Sequence, residues 1–243
     1  MEKLFIFDYD DTLARNTLYY VRAKLKFALF VTERLGPHAP NEVSILELQE
    51  RIDVENVARF GFKRNRFPTS MREAYALICK AAGIPPARKD LDRAYNIGMS
   101  AFNKSEYKRH GLLPGAAATL DFLAEQHDEL MLYTKGDPKV QWEKIKATHI
   151  QRWFGGSINV VGDKDANGIL RLIGRRDPAR VWKVGNGLRS DVYPALEAGI
   201  GAIYIPWETW AFERQHNGEP HDNPRYIKFP KIDDIIKNYS TLP

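Results

Sequence analysis

Hydrophobic positions along the chain follow two different rhythms. Between residues 15 and about 111 they recur at helical spacing, and Leu18, Val21, Leu25 and Leu29 set the period of a helix over 15–35. Gly36-Pro37 stops that helix. Glu42 to Phe60 predicts a second, closed by Gly61. Ser70 and Glu73 form a capping box for a third, which ends at Gly83 and Pro85-Pro86, and a fourth is predicted from Ala87 to about Lys104.

Outside this stretch the apolar residues gather into short runs of the length that suits a buried strand. They are Leu4-Phe5-Ile6-Phe7, Leu130-Met131-Leu132-Tyr133, Ile158-Asn159-Val160-Val161, Val181-Trp182-Lys183-Val184 and Ala202-Ile203-Tyr204-Ile205. Helical segments separate them, one running to about Gln126 and another opened by Pro138, whose missing N–H costs nothing at a first helical position. Strands alternating with helices predict an α/β fold, a Rossmann-like parallel sheet flanked by helices. The expected division is an α/β core of residues 1–14 and 112–243 and an all-helical insert of residues 15–111 above the sheet's carboxyl rim.

Ligands bind at the strand carboxyl ends of such sheets, and the polar clusters fall there. The first strand runs into Asp8-Tyr9-Asp10-Asp11-Thr12, the second into Thr134-Lys135-Gly136-Asp137, the third into Gly162-Asp163-Lys164 and the fourth into Gly185-Asn186 through Asp191. Crowded carboxylates repel one another, and a cation held among them resolves the conflict. The plainer alternative is a polar turn in which Asp11 and Thr12 start a helix. Carboxylates, a hydroxyl, a lysine and an amide form the set that phosphoryl transfer needs: a nucleophile, charge neutralisation and an acid for the leaving oxygen.

Composition narrows the setting. The 243 residues are 44% hydrophobic and 28% charged, as in a folded globular protein, and no apolar run approaches the roughly 20 residues that span a bilayer. One cysteine, Cys79, and no apparent signal peptide fit the cytoplasm. A net charge of +5 favours an anionic partner. Phe62-Lys63-Arg64-Asn65-Arg66-Phe67 interleaves cations with rings. That run reads either as a nucleic-acid grip or, more often for such runs, as a solvated loop with anchored rings.

Asp8-x-Asp10-x-Thr12, followed in order by Thr134, Lys164 and the Gly185–Asp191 segment, resembles the four motifs of the haloacid dehalogenase-like hydrolase superfamily. The resemblance implies that Asp8 is the nucleophile forming an aspartyl-phosphate, and that Asp10 is the general acid and base. It implies that Thr134 binds a phosphoryl oxygen with the backbone N–H groups of Lys135 and Gly136, while Lys164 neutralises charge. Lys164 is preferred to Lys183, which lies inside its strand. A magnesium ion would be held by Asp8, the main-chain carbonyl of Asp10, Asp191 and, less firmly, Asn186, which departs from the commoner Asp. The insert resembles the superfamily's helical cap. An acid at position 10 points to a phosphatase rather than a dehalogenase, because a departing halide needs no proton. The expected substrate is a small phosphate ester, with neither nucleic acid nor membrane as partner. The alternatives are a phosphomutase, a phosphonate hydrolase, or a non-catalytic nucleic-acid or regulatory binding protein on the same fold.

Overall fold

The computed structural model describes residues 2–214 and 218–242. Six parallel strands form one sheet: β1 (Leu4–Phe7), β2 (Glu129–Lys135), β3 (Ile158–Val161), β4 (Val181–Gly185), β5 (Gly201–Tyr204) and β6 (Tyr226–Lys228). Their order is β3-β2-β1-β4-β5-β6. The strand order therefore reverses beside β1, which places the ends of β1 and β4 at the crevice where open α/β sheets bind ligands. Five strands answer to the apolar runs. The sixth, at the edge and three residues long, is too short and too polar to stand out in the sequence.

The chain divides into two compact units, Met1–Arg15 with Lys104–Pro243, and Asn16–Asn103. The second contains α1 (Thr17–Leu35), α2 (Glu42–Phe60), α3 (Arg66–Ala81) and α4 (Arg88–Met99). The first unit carries α5 (Lys104–His110), α6 (Ala116–Glu125), α7 (Pro138–Ala147), α8 (Gln151–Phe154), α9 (Ala166–Ile173), α10 (Tyr193–Glu197) and α11 (Asp234–Asn238). The sequence predicts a helical insert that extends to residue 111. In the structure, residues 104–110 group with the α/β unit, because Tyr107 is buried and Lys104 pairs with Glu143 of α7 at 3.0 Å.

Both faces of the sheet are covered. Phe5, Phe7, Leu132, Trp182 and Val184 pack against α6, α7, α8 and α11, while Leu4, Ile6, Val181 and Ala202 pack against α9 and α10. Strand alternation thus sends odd-numbered side chains of β1 to one core and even-numbered ones to the other.

The helical unit departs from the predicted pattern in two places. Val21, Leu25 and Leu29 of α1 are 39%, 58% and 58% exposed, and the buried face is Tyr19, Ala23, Phe27, Phe30 and Val31. Each ring removes more apolar area from water than a single aliphatic chain, so the aromatic stripe sets the rotation of the helix. The predicted capping box is also absent. Helix α3 begins at Arg66, since Pro68 is tolerated in a first turn, and Ser70 lies inside the helix, donating to Asp53 at 2.9 Å and to the Arg66 carbonyl. Arg66 is buried and ion-paired with Asp53, and Arg64 stacks over Phe102. Two cations of the Phe62–Phe67 run are therefore engaged with side chains of their own unit.

Candidate active site

Strand β1 carries Asp8 to the carboxyl rim, and the Asp8 amide extends the ladder by donating to the Val184 carbonyl at 2.8 Å. Beyond it the chain folds into a tight turn. The amides of Leu13 and Ala14 donate to the Tyr9 carbonyl at 2.9 and 3.0 Å, and that of Asp11 donates to Ala14 at 2.7 Å. Asp11 takes the left-handed conformation at φ 58°, which Asp adopts more readily than most residues. Asp11 and Thr12 do not begin a helix, which waits until Thr17. The Thr12 hydroxyl is buried between the ends of β1 and β4, 3.4 Å from Asp8 Oδ2 and 3.3 Å from Asn186 Oδ1.

Two lysines converge on this point. Lys164 Nζ donates to Asp8 Oδ1 and, at 2.8 Å, to Asp191 Oδ1. Lys183 Nζ reaches the same Asp191 oxygen at 2.7 Å and the Val184 carbonyl at 3.1 Å. All four side chains are buried. Lys183 lies in a strand interior, but strand alternation puts it on the face of its register partner Ile6, and so on the face of Asp8. That placement was available from the sequence once β4 was known to pair with β1. Asp191 stands in a π-helical turn, Leu188–Val192, after β4. A Cβ at Gly185 would lie 2.3 Å from its carboxyl carbon, so only glycine leaves room there.

These contacts sort the charges. Burial pushes Asp8 above the ordinary carboxylate range, against the pull of Lys164. Burial acts in the same sense on Asp191, but Lys164 and Lys183 together outweigh it and hold that carboxyl well below the range. Burial lowers both lysines. For Lys164 the two carboxylates more than offset this and raise it, whereas Lys183 stays depressed.

At the end of β2, Thr134 is buried and its hydroxyl accepts from Gln141 Nε2 at 2.7 Å. The Gly136 amide, expected to face a phosphoryl group, instead donates to the Val161 carbonyl at 3.0 Å, because β2 and β3 remain paired to that point. The Lys135 side chain turns to Ser190 at 2.6 Å and Glu213 at 2.7 Å. Helix α7 starts at Pro138 with the Asp137 carboxylate capping Lys139 and Val140. From its buried face Gln141 and Lys144 reach Asp10. Lys144 Nζ lies 2.9 and 3.0 Å from the two carboxylate oxygens, and Gln141 Nε2 lies 3.1 Å from Oδ2. Neither residue is visible as a site residue in sequence. A lysine and a glutamine at i and i+3 on a helix read as an ordinary polar stripe.

No protein-family model matches the chain. Glyceraldehyde 3-phosphate phosphatase from Pyrococcus abyssi is 26% identical over 223 residues, covering 85% of this chain and 82% of its own. The crystal structure of a haloacid dehalogenase-like family hydrolase from Xanthomonas campestris superposes with a TM-score of 0.74 at 25% identity, covering 99% of this chain and 96% of that one. L-2-haloacid dehalogenase from Xanthobacter autotrophicus shares the fold, with a TM-score of 0.58 at 16% identity over the whole of both chains. The structures this chain resembles are thus haloacid dehalogenase-like hydrolases, and its curated relatives in sequence are named phosphatases.

Phosphatases of this superfamily generally use Mg2+, so the donor set bears on whether this chain fits one. Among the described residues, no three His, Cys, Asp or Glu side chains are grouped around a common cation position. Asp191, the carboxylate expected to be the chief ligand from the fourth motif, accepts hydrogen bonds on both oxygens, each of which has more than one lone pair. Its Oδ1 accepts from both lysines and its Oδ2 accepts from the Gly187 amide at 3.1 Å. The oxygens expected to take a hard cation are Asp8 Oδ2, the Asp10 carbonyl, Asp191 Oδ2 and the amide oxygen of Asn186, an all-oxygen set. Magnesium keeps several waters and takes few protein ligands, so such a set fits it.

Proposed function

We propose that this protein is a magnesium-dependent phosphatase that hydrolyses a small phosphorylated metabolite through an aspartyl-phosphate. The observation that carries the reading is the Asp8 carboxylate at the end of β1, bonded to Lys164, with a second acid, Asp10, two residues on. An oxygen of Asp8 attacks phosphorus, the bond to the leaving oxygen breaks, and Asp10 gives that oxygen a proton. Asp10 then takes a proton from the water that attacks the phosphoryl group on Asp8, releasing inorganic phosphate. Lys164 balances negative charge at the nucleophile, and Asp191 with Lys183 holds Lys164 in place. The Thr134 hydroxyl contacts a phosphoryl oxygen.

Asp8, the Asp10 carbonyl, Asp191 and, less firmly, Asn186 would hold the magnesium ion, which supplies neutralisation of the charge that builds on the phosphoryl oxygens. The helical unit, Asn16–Asn103, serves as the cap that selects the substrate. The relatives named glyceraldehyde 3-phosphate phosphatase make a three-carbon phosphate ester the first substrate to try. Phosphate release from a panel led by glyceraldehyde 3-phosphate is expected to occur with magnesium and to stop on chelation. Asp8→Asn should lower it at least ~10³-fold with the melting curve intact. A well-folded protein that turns over no ester in the panel would refute this reading.

A further inference from the structure

Lys144 is 3% exposed. Burying an ammonium group sacrifices hydration, and a long side chain also loses rotamer freedom, so a buried lysine needs a partner that returns both. Here the partner is the carboxylate of Asp10, met at 2.9 and 3.0 Å on its two oxygens. Gln141 adds a donor to Oδ2 at 3.1 Å, and the same amide nitrogen lies 2.7 Å from Thr134 Oγ1 and 3.3 Å from the Lys135 carbonyl. Because Thr134 Oγ1 accepts from Gln141, its own proton is directed elsewhere and stays available to a phosphoryl oxygen. One turn further, Thr148 Oγ1 meets the Tyr9 hydroxyl at 3.0 Å.

The backbone of the Asp10 turn does not depend on these contacts. It closes on itself through the Asp11–Ala14 and Ala14–Tyr9 bonds. What Lys144 and Gln141 fix is the direction of the Asp10 side chain, which a turn alone leaves free to rotate. Proton transfer requires donor and acceptor within roughly 2.6–3.2 Å in the reacting complex.

We infer that Lys144 and Gln141 are positioning residues that aim the Asp10 carboxyl at the leaving-group oxygen and couple its placement to the phosphate-binding hydroxyl of Thr134. The inference rests on the phosphatase reading and adds to it two residues that no motif contains. Asp10 enters the first step protonated, gives that proton up as the bond from phosphorus to the leaving oxygen breaks, is left as the carboxylate that Lys144 meets, and regains a proton from the attacking water. Loss of its aim therefore slows the first step only when the leaving oxygen needs a proton.

The test compares Lys144→Met with wild type on glycerol phosphate and on p-nitrophenyl phosphate, whose phenolate departs unprotonated. The variant should lose about 10²-fold in first-turnover rate on glycerol phosphate and less than about threefold on p-nitrophenyl phosphate. A burst of p-nitrophenolate should precede slowed turnover, because water attack on the phosphorylated Asp8 also needs Asp10. KM should barely move on glycerol phosphate and should fall on p-nitrophenyl phosphate, where the phospho-enzyme accumulates, and Lys144→Arg, which keeps a cation, should recover most of the rate. Gln141→Leu carries the same leaving-group prediction should Lys144→Met fold poorly. Equal losses on the two substrates, or none on either, would overturn the inference. A wild type inert on both esters would instead refute the phosphatase reading and remove this role with it.

Discussion

Asp8 and Asp10 lie two residues apart and are given different companions. Asp8 is buried against Lys164 and Thr12, whereas Asp10 faces Lys144 and Gln141 from a different helix. Identical side chains thus meet different surroundings, as the different tasks proposed for them require. In the proposed metal set, Asn186 offers a neutral amide oxygen where a carboxylate would fit. Replacing it with Asp adds a carboxylate beside Asp8 and the Asp10 carbonyl, and affinity at oxygen sites tracks ligand charge. Asn186→Asp should lower the magnesium concentration for half-maximal activity roughly tenfold. An unchanged activation curve would take Asn186 out of the metal set. Lys183 shows the limit of reading residues singly: its position inside a strand argued against it, and only its register with Ile6 brings it to Asp191.

At the scale of elements, helix existence followed from periodicity, while rotation and starting point did not. The α1 spacing of Leu18, Val21, Leu25 and Leu29 is helical, yet the helix buries its aromatic side. Two stripes competed on one helix, and packing against α2 and α4 chose between them. Helices α3 and α4 cross closely at Gly98, where an added Cβ would stand 2.5 Å from Pro68 Cα and 3.0 Å from Pro68 Cβ. Alanine is favoured over glycine by roughly 1 kcal/mol within a helix. Gly98→Ala should nevertheless destabilise the protein by about 1–3 kcal/mol, because backbone at the crossing must move apart. Thermal unfolding decides the matter, and a raised Tm would show that the crossing has slack.

At the scale of the molecule, the buried acids and lysines tie β1, β4, the segment before α9 and the π-helical turn into one charged centre. Its effect on stability has a definite sign in pH. Asp191 is held below its unfolded value, near 3.8, so its contribution is fully present above about pH 4 and is lost as pH falls through the folded value. Asp8 is raised and works the other way, costing stability as pH rises through its folded value. Removing one member of a buried ion pair costs about 3–5 kcal/mol. In metal-free protein, Asp191→Asn should therefore melt well below wild type at pH 7, and the gap should narrow below about pH 4. A gap independent of pH would show that Asp191 is neutral in the folded protein.

The apolar runs and the acids that end them were sufficient for the α/β class, for five of the six strands and for the Asp8, Thr134, Lys164 and Asn186–Asp191 positions. Strand length, period and strand-end chemistry are local properties that a chain displays along its length. Tertiary structure alone decided how those groups are spent. It gave the Asp191 oxygens to two lysines and an amide, turned the Gly136 amide toward β3, and delivered Lys144 and Gln141 to Asp10 from more than 130 positions away. A hydrogen bond is set by distance and direction in space, and neither is written in the spacing of residues along a chain.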